Sequence, residues 1–244
     1  MRNPKWHRDE IILALDLYFS SDRGSIDDKN KKIIQLSKVL NELPIFPDKP
    51  DKERFRNANG VTLKLSNFLA FDPTYKGKGM SGGSKLDEEV FKEFEDQKDK
   101  LHAIANEIKK IAEDPALRSK LYTIEDDEQT KTDSVSEGQI LYKLHKVRER
   151  DGKITLRKKE QVWGKTGKLA CEACVFEFEP YYGTIGKGFI ECHHRTPLFN
   201  FKVSTKTGLD DLALVCSNCH RMLHRRIDTI TVEDLRMMIK YDRI

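Results

Sequence analysis

Residues 191–198 (ECHHRTPL) and 216–224 (CSNCHRMLH) bring a His-His pair, a Cys-x-x-Cys and a His-x-x-x-His close together in the chain. A second Cys-x-x-Cys (CEAC) starts at residue 171. Because each Cys-x-x-Cys turn can present two sulfurs to one ion, the two turns together predict a tetrahedral zinc site that supports the fold. Four buried cysteines without metal, or two disulfides, are the alternatives. The four predicted zinc ligands are Cys171, Cys174, Cys216 and Cys219.

The histidines predict a second metal site. Four of the seven histidines in the chain fall within residues 193–224. His220 and His224 are four positions apart, so a helix would place both imidazoles on one face, and His193 or His194 could supply a third group. Histidines that are polar groups of a folded core are the alternative. The fifth cysteine, Cys192, is predicted to be a buried strand residue and not a ligand.

The segment from Lys168 to Arg225 resembles the HNH, or ββα-metal, nucleases, and in particular the zinc-braced HNH domains of 5-methylcytosine-specific restriction enzyme A-like proteins. The family pattern reads Cys-x-x-Cys, then Glu-x-His-His-x-x-Pro-Leu, then Cys-x-x-Cys-His-x-x-x-His, and this sequence matches each of those positions. The resemblance implies that His194 is the general base. It also implies that His193, His220 and His224 bind a catalytic divalent ion while the cysteines hold zinc.

One position departs from the family pattern. Asp211 stands five residues before Cys216, where the family has asparagine. In the family that side chain helps to hold the loop that carries the base, which an aspartate could do as a hydrogen-bond acceptor. Metal binding by Asp211 is the other interpretation, so Asp211 is retained with the candidate catalytic residues.

The implied chemistry is hydrolysis of DNA phosphodiester bonds. A divalent ion on the scissile phosphate would neutralise charge that develops in the transition state, and an imidazole is suited to accept a proton from water near neutral pH. Three imidazoles favour borderline transition ions, whereas cellular abundance favours magnesium. The sequence therefore leaves magnesium, manganese, nickel and zinc open as the catalytic ion.

Charge is divided unevenly along the chain. Residues 138–244 carry 20 lysines and arginines against 13 aspartates and glutamates, whereas residues 1–137 carry 24 against 27. A basic half that also holds the nuclease motif is suited to a phosphate backbone, although a solvated charged face would look the same. The N-terminus is charged and has no hydrophobic signal segment, so we expect a soluble, cytoplasmic protein.

The length of 244 residues leaves room for a second domain. Helical spacing is predicted over residues 8–19, 29–42 and 86–112, with a turn at Asn59-Gly60 that leads into another helix. We place an N-terminal DNA-recognition-type module at residues 1–121, an acidic linker at 122–138 and the HNH domain at 139–244. Residues 139–165 are predicted to form a strand, a turn and a helix, and residues 183–188 a hairpin loop before a strand at 189–192.

The N-terminal module also resembles, less specifically, a domain associated with the same restriction-type proteins, through the phrases at residues 55–61 and 72–79. Candidates for contacts with the DNA backbone are the basic and amide side chains near these two segments. A lysine-rich run before the first Cys-x-x-Cys supplies further candidates. The complete set of candidate DNA-binding residues is Arg54, Arg56, Asn57, Lys64, Lys76, Lys78, Arg157, Lys158, Lys159 and Arg195.

Together these patterns predict an α+β protein with a mostly helical N-terminal module and a C-terminal ββα-metal nuclease domain that carries a four-cysteine zinc. The predicted activity is metal-dependent cleavage of double-stranded DNA in defence against foreign DNA, with cytosine-modified DNA as a candidate target and a homodimer as a candidate assembly. A zinc-containing protein that binds nucleic acid without cutting it is one alternative. A toxin or mobile-element HNH nuclease is another.

Overall fold

The computed structural model describes residues 2–77, 82–122, 140, 143, 152–195, 208–225 and 230–239. The chain forms two compact units, of which the first comprises residues 1–125 with 137–143 and the second comprises residues 126–136 with 144–244. The candidate DNA contact Lys78 and nearly all of the expected linker lie outside the described residues. Most of the strand expected before residue 151 also lies outside the described residues. Ile140 and Lys143 are described, and both are helical.

The described part of the first unit is helical. Its helices are α1 (Arg8–Phe19), α2 (Lys31–Glu42), α3 (Ala58–Phe68), α4 (Lys85–Phe94), α5 (Lys98–Glu113) and α6 (Pro115–Tyr122). Helix α1 is central, because every residue from Asp9 to Asp16 is buried and the helix packs against α2, α3, α4 and α5. His7 caps it: the ring Nδ1 accepts the backbone N–H of Asp9, and the Glu10 carboxylate accepts the N–H of His7.

Two details of the predicted helices are wrong. The side chain of Asn57 accepts the N–H of Gly60 at 2.9 Å and caps α3, so Asn59-Gly60 lies in the first helical turn and not in a turn before it. The helix predicted over 86–112 is two helices, α4 and α5, separated around Gln97. Both pack against α1 and against each other, which one straight helix could not do.

The second unit is built from short elements around a two-stranded sheet. Its elements are α7 (Gly152–Thr166), α8 (Phe178–Tyr182), a 3₁₀ turn (Gly183–Gly186), β1 (Glu191–His194), a 3₁₀ turn (Leu209–Asp211), β2 (Leu212–Val215), α9 (Ser217–His224) and α10 (Val232–Met238). The strands are antiparallel, with Glu191 opposite Val215 and His194 opposite Leu212. The predicted helix after Gly152 is confirmed, whereas the predicted hairpin loop is a 3₁₀ turn and the strand begins at Glu191, two residues later than expected.

The sheet separates two small cores. On one face Ala213 and Val215 pack with the cysteines of the two Cys-x-x-Cys turns, residues 171–174 and 216–219, which we call the knuckles. Leu223 of α9 and residues of α10 belong to the same cluster. On the other face Cys192 and Leu214 form a cluster against which apolar residues of α7 pack. Successive strand residues point to opposite faces, so His193 belongs to the knuckle face and His194 to the α7 face. The predicted α+β fold class and the buried strand position of Cys192 are confirmed.

Candidate metal centres and active site

The four predicted zinc ligands converge on one point. The sulfurs of Cys171, Cys174, Cys216 and Cys219 all lie within 4.8 Å of one another. The Sγ atoms of Cys174 and Cys216 are 3.6 Å apart, and a tetrahedral ion with sulfurs at about 2.3 Å requires a separation of about 3.8 Å. None of these cysteines forms a disulfide. The thiols therefore fit a tetrahedral metal ion, and the disulfide alternative does not hold.

The local backbone explains why the knuckles fold in this way. The N–H of Cys171 donates to the carbonyl of Phe176, and the N–H of Val175 donates back to the carbonyl of Cys171 at 2.8 Å. This tight turn places Val175 in the left-handed region at φ 58°, a conformation that β-branched residues rarely adopt. The second knuckle is the start of α9, where Cys216 occupies the N-cap position and its Sγ accepts the N–H of Cys219. Each knuckle thus positions its sulfurs through backbone hydrogen bonds.

The electrostatics of Cys171, Cys174 and Cys219 favour a bound cation. Hydrogen bonds from Cys216 and Cys219 lower the pKa of the Cys171 thiol. Burial raises the pKa of Cys174 to about 11, and the hydrogen bond with Cys171 raises the pKa of Cys219. Ionisation of Cys171 therefore disfavours ionisation of Cys174 and Cys219, because negative sulfurs repel each other in a buried cluster. A divalent cation would reverse this balance and deprotonate the ligating thiols.

Three of the four motif histidines form a separate cluster. Ligand nitrogens of His193, His220 and His224 lie within 4.8 Å of one another, and the Nε2 atoms of His220 and His224 are 2.9 Å apart. Two nitrogens that bind one ion at about 2.1 Å and at a right angle are about 3.0 Å apart. His193 is contributed by β1 and the other two by one face of α9, as the four-residue spacing predicts. The cluster fits a divalent metal ion held by three imidazoles.

A carboxylate supports this cluster, and sequence reasoning assigned it no role. Glu191 accepts a hydrogen bond from Nδ1 of His220. Because a carboxylate only accepts, the ring proton resides on Nδ1 and leaves Nε2 available as a ligand. This carboxylate–histidine arrangement is typical of metal sites, where it orients the ring and raises its basicity. The position of Glu191 in the sequence could have indicated this role, because it lies two residues before His193 and therefore on the same face of β1.

Asp211 holds the polypeptide chain beside the sheet. Its Oδ2 accepts the N–H of Gly208 at 2.7 Å, and its carbonyl accepts the N–H of Arg195 at 2.8 Å. Among the described residues it is not grouped with the metal-ligating histidines. The side chain of Asp211 thus acts as a hydrogen-bond acceptor within its own turn, and only its backbone carbonyl reaches the residue that follows β1.

His194 lies apart from the three-histidine cluster. It is buried, it faces Leu212 across the sheet, and its strand position points it to the opposite face from His193. It is not a member of the ligand group formed by the described residues. The described residues therefore place His193 with the other two clustered histidines and leave His194 outside that group.

Three candidate DNA contacts require correction because their side chains are buried in internal interactions. The Arg56 guanidinium pairs with the Glu10 carboxylate and donates to two backbone carbonyls. The Lys64 ammonium contacts both carboxylate oxygens of Asp87. Lys158 donates to the carbonyl of Leu209 at 2.9 Å and so braces the 3₁₀ turn before β2.

The other candidate DNA contacts differ in exposure. Lys76 and Arg157 are exposed, as is Arg54, which lies 3.8 Å from the carboxylate of Asp51. Asn57 is a helix cap, and Lys159 donates to the carbonyl of Gly188 at 3.0 Å. Arg195 is half-buried between Glu172 and Glu233, and Glu172 also accepts the N–H of Leu214. Arg195 thus links the first Cys-x-x-Cys turn to α10.

The second unit thus combines two antiparallel strands, a helix that carries two of the clustered histidines and a four-cysteine cluster. Residues 171–226 match the family model described as HNH endonuclease. The match covers under a quarter of the chain, and it includes every cysteine and histidine of the two clusters. No curated protein and no solved structure matched the chain. Within the described ranges, no helix has the length and apolar composition that a bilayer crossing requires.

Proposed function

We propose that this protein is a metal-dependent DNA endonuclease that hydrolyses phosphodiester bonds. The observation that carries the proposal is the three-histidine cluster, supported by the Glu191 carboxylate, within the segment that matches the HNH endonuclease model. A zinc knuckle that only binds nucleic acid needs the cysteines alone. Three imidazole ligands, one of them oriented by a carboxylate, are instead typical of a metal ion that acts on a substrate.

The histidines and Glu191 would have separate roles in the reaction. His193, His220 and His224 would hold a divalent cation, which supplies charge neutralisation at the scissile phosphate and at the leaving oxygen. His194 would accept the proton of the attacking water, a role that suits an imidazole near neutral pH. Glu191 keeps the proton of His220 on Nδ1 and so preserves its metal-facing nitrogen. Magnesium, manganese, nickel and zinc all remain candidates for the catalytic ion.

The cysteine cluster would hold a structural zinc. It lies in the core that joins both knuckles to α9 and α10, and α9 also carries two of the metal-binding histidines. Zinc binding would therefore hold α9 in place and with it the catalytic site. This role requires no open coordination position, in agreement with four cysteine ligands.

The biological setting that we propose is restriction of foreign DNA in the cytoplasm, with residues 1–121 as the target-selecting module and residues 139–244 as the nuclease. The support is the resemblance of both regions to restriction-type HNH proteins, and cytosine-modified double-stranded DNA is the corresponding candidate target. Because the described residues contain one three-histidine site, cutting of both strands would use a homodimer or two successive nicks. A toxin or mobile-element nuclease would share the site and differ in its target.

The test is cleavage of supercoiled plasmid by the full chain with each divalent ion, with EDTA as the metal-free control. We expect nicked product that depends on the ion and disappears in EDTA. Matched duplexes with cytosine, 5-methylcytosine and 5-hydroxymethylcytosine then test the target. Binding without any cleavage under all four ions would support the non-catalytic alternative and overturn the proposal.

A further inference from the structure

Glu172, which follows Cys171 in the first knuckle, contacts the backbone of β2. Its N–H donates to the carbonyl of Leu214 at 2.8 Å, and its carboxylate Oε1 accepts the N–H of Leu214 at 2.8 Å. In an antiparallel pair the N–H and the carbonyl of one residue point to the same side of the strand. Because Glu172 pairs with both groups of Leu214, it occupies the edge of β2 that faces away from β1.

The second carboxylate oxygen of Glu172 reaches the chain directly after β1. Oε2 accepts a hydrogen bond from the guanidinium of Arg195, the residue that follows His194. Hydrogen bonds between charged groups are shorter and stronger than those between neutral groups. The side chains of Glu172 and Arg195 are 31% and 29% exposed, so solvent screens their attraction only in part. One carboxylate therefore contacts β2 directly and the end of β1 through Arg195.

Arg195 is held at two further points. Its backbone N–H donates to the carbonyl of Asp211 at 2.8 Å, and its guanidinium donates to the carboxylate of Glu233 on α10 at 2.6 Å. His194 and Arg195 share one planar peptide unit, so the contacts that fix Arg195 also restrain the backbone of His194. The position of the buried His194 thus depends on contacts made by its neighbour.

The surroundings of Arg195 favour an internal role over the predicted contact with DNA. Its guanidinium lies between the carboxylates of Glu172 and Glu233, which offset its positive charge. A phosphate that approached this guanidinium would also approach the two carboxylates, and like charges at close range repel each other. The contact with Glu172 is therefore better suited to holding the protein chain than to binding a phosphate.

We propose that Glu172 is a positioning residue, which holds His194 in place through Arg195. The proposal rests on the proposed function, in which His194 accepts the proton of the attacking water. A base must lie within hydrogen-bond reach of the proton that it removes, and a displacement of about 1 Å can lower a rate by about 10²-fold. Glu172 is also adjacent to Cys171, so it would connect the cysteine cluster to the strand that carries the base.

Glu172→Gln weakens this arrangement without removing the side chain. Glutamine has one acceptor oxygen where glutamate has two, so the variant cannot hold Leu214 and Arg195 through separate oxygens. We expect the kcat of plasmid cleavage at saturating metal ion to fall by about 10-fold or more, with little change in the KM for DNA. Bound zinc and the thermal transition of the second unit should remain as in the wild type. Glu177→Gln, which removes a 3.2 Å ion pair with Lys168, is the matched control and should keep the wild-type kcat.

A double-mutant cycle tests whether Glu172 acts through Arg195. Arg195→Ala should lower kcat as Glu172→Gln does, and the double variant should be no slower than the slower single variant, because both substitutions break the same contact. Effects on kcat that multiply in the double variant would overturn the proposal. So would an Arg195→Ala protein with a raised KM and an unchanged kcat, since Arg195 would then be a DNA contact.

The remaining outcomes separate this proposal from the nuclease function. Wild-type kcat in Glu172→Gln would remove the positioning role alone. Loss of zinc from Glu172→Gln would also overturn that role, because Glu172 would then support the cysteine cluster and not His194. Absence of cleavage by the wild type under all four ions would overturn the nuclease function and, with it, the role of Glu172.

Discussion

The carboxylate of Glu191 accepts a hydrogen bond from Nδ1 of His220, which connects strand β1 to helix α9 at the three-histidine cluster. The two residues are 29 positions apart in the chain. The contact determines which ring nitrogen of His220 faces the other two imidazoles. The proposed metal site would therefore depend on a residue outside its three ligands.

Glu191→Ala is expected to weaken binding of the catalytic ion by about 10- to 100-fold, because His220 loses the group that orients it. Glu191→Gln, whose amide oxygen still accepts, should retain more of the affinity. The measurement is a metal titration of cleavage, in which a high ion concentration should recover much of the rate. Glu160→Gln, at an exposed position of α7, is the control and should not change the titration. An unchanged metal dependence in Glu191→Ala would argue against this role.

His194→Ala is expected to reduce the cleavage rate by at least about 10²-fold and to leave metal binding nearly unchanged, because a base acts on water and a ligand acts on the ion. His193→Ala, one residue earlier, should instead lose the catalytic ion, since His193 belongs to the ligand cluster. Cleavage rate and metal binding are measured for both variants. Wild-type cleavage by His194→Ala would transfer the role of base to another residue.

Cys219→Ser is expected to release zinc and to abolish the thermal transition of the second unit, because structural zinc binding is folding free energy in so small a core. Elemental analysis and calorimetry measure the two effects, and the transition of the first unit should survive. Cys192→Ala is the matched control, since Cys192 lies in the core on the other side of the sheet and should retain the zinc. A metal-free Cys219→Ser protein of wild-type stability would contradict the structural role.

Arg56→Ala is expected to destabilise the first unit by about 3–5 kcal/mol, because it leaves the Glu10 carboxylate buried without its partner. The two side chains are 4% and 1% exposed, and Arg56 also stacks against the ring of Trp6 with a 4.7 Å separation. Arg54→Ala, whose side chain is 84% exposed, should leave stability unchanged. Chemical unfolding of both variants checks this. Equal stabilities would restore Arg56 as a candidate surface contact.

Much of the ligand chemistry of this protein was predictable from the sequence. Each Cys-x-x-Cys pair and the i, i+4 histidine pair on α9 are short-range geometry, whereas the meeting of the two cysteine pairs, and of His193 with α9, was predicted from residue type and depends on the fold. Helix α1 was also predictable over residues 8–19, since its cap and its apolar run lie within one segment. Local side-chain type and spacing determine such features without any knowledge of the rest of the fold.

Only the tertiary structure decided which charged side chains are exposed and which are buried. Arg56 and Lys64 look like phosphate contacts in the sequence, and their buried partners Glu10 and Asp87 are 46 and 23 positions away. The support of His220 by Glu191 and the break between α4 and α5 likewise arise from packing between distant segments. The sequence by itself determined which side chains can bind a metal, because that ability depends on the ligand atom that each side chain carries. The fold decided the burial of each charge, because burial depends on which distant segments pack around it.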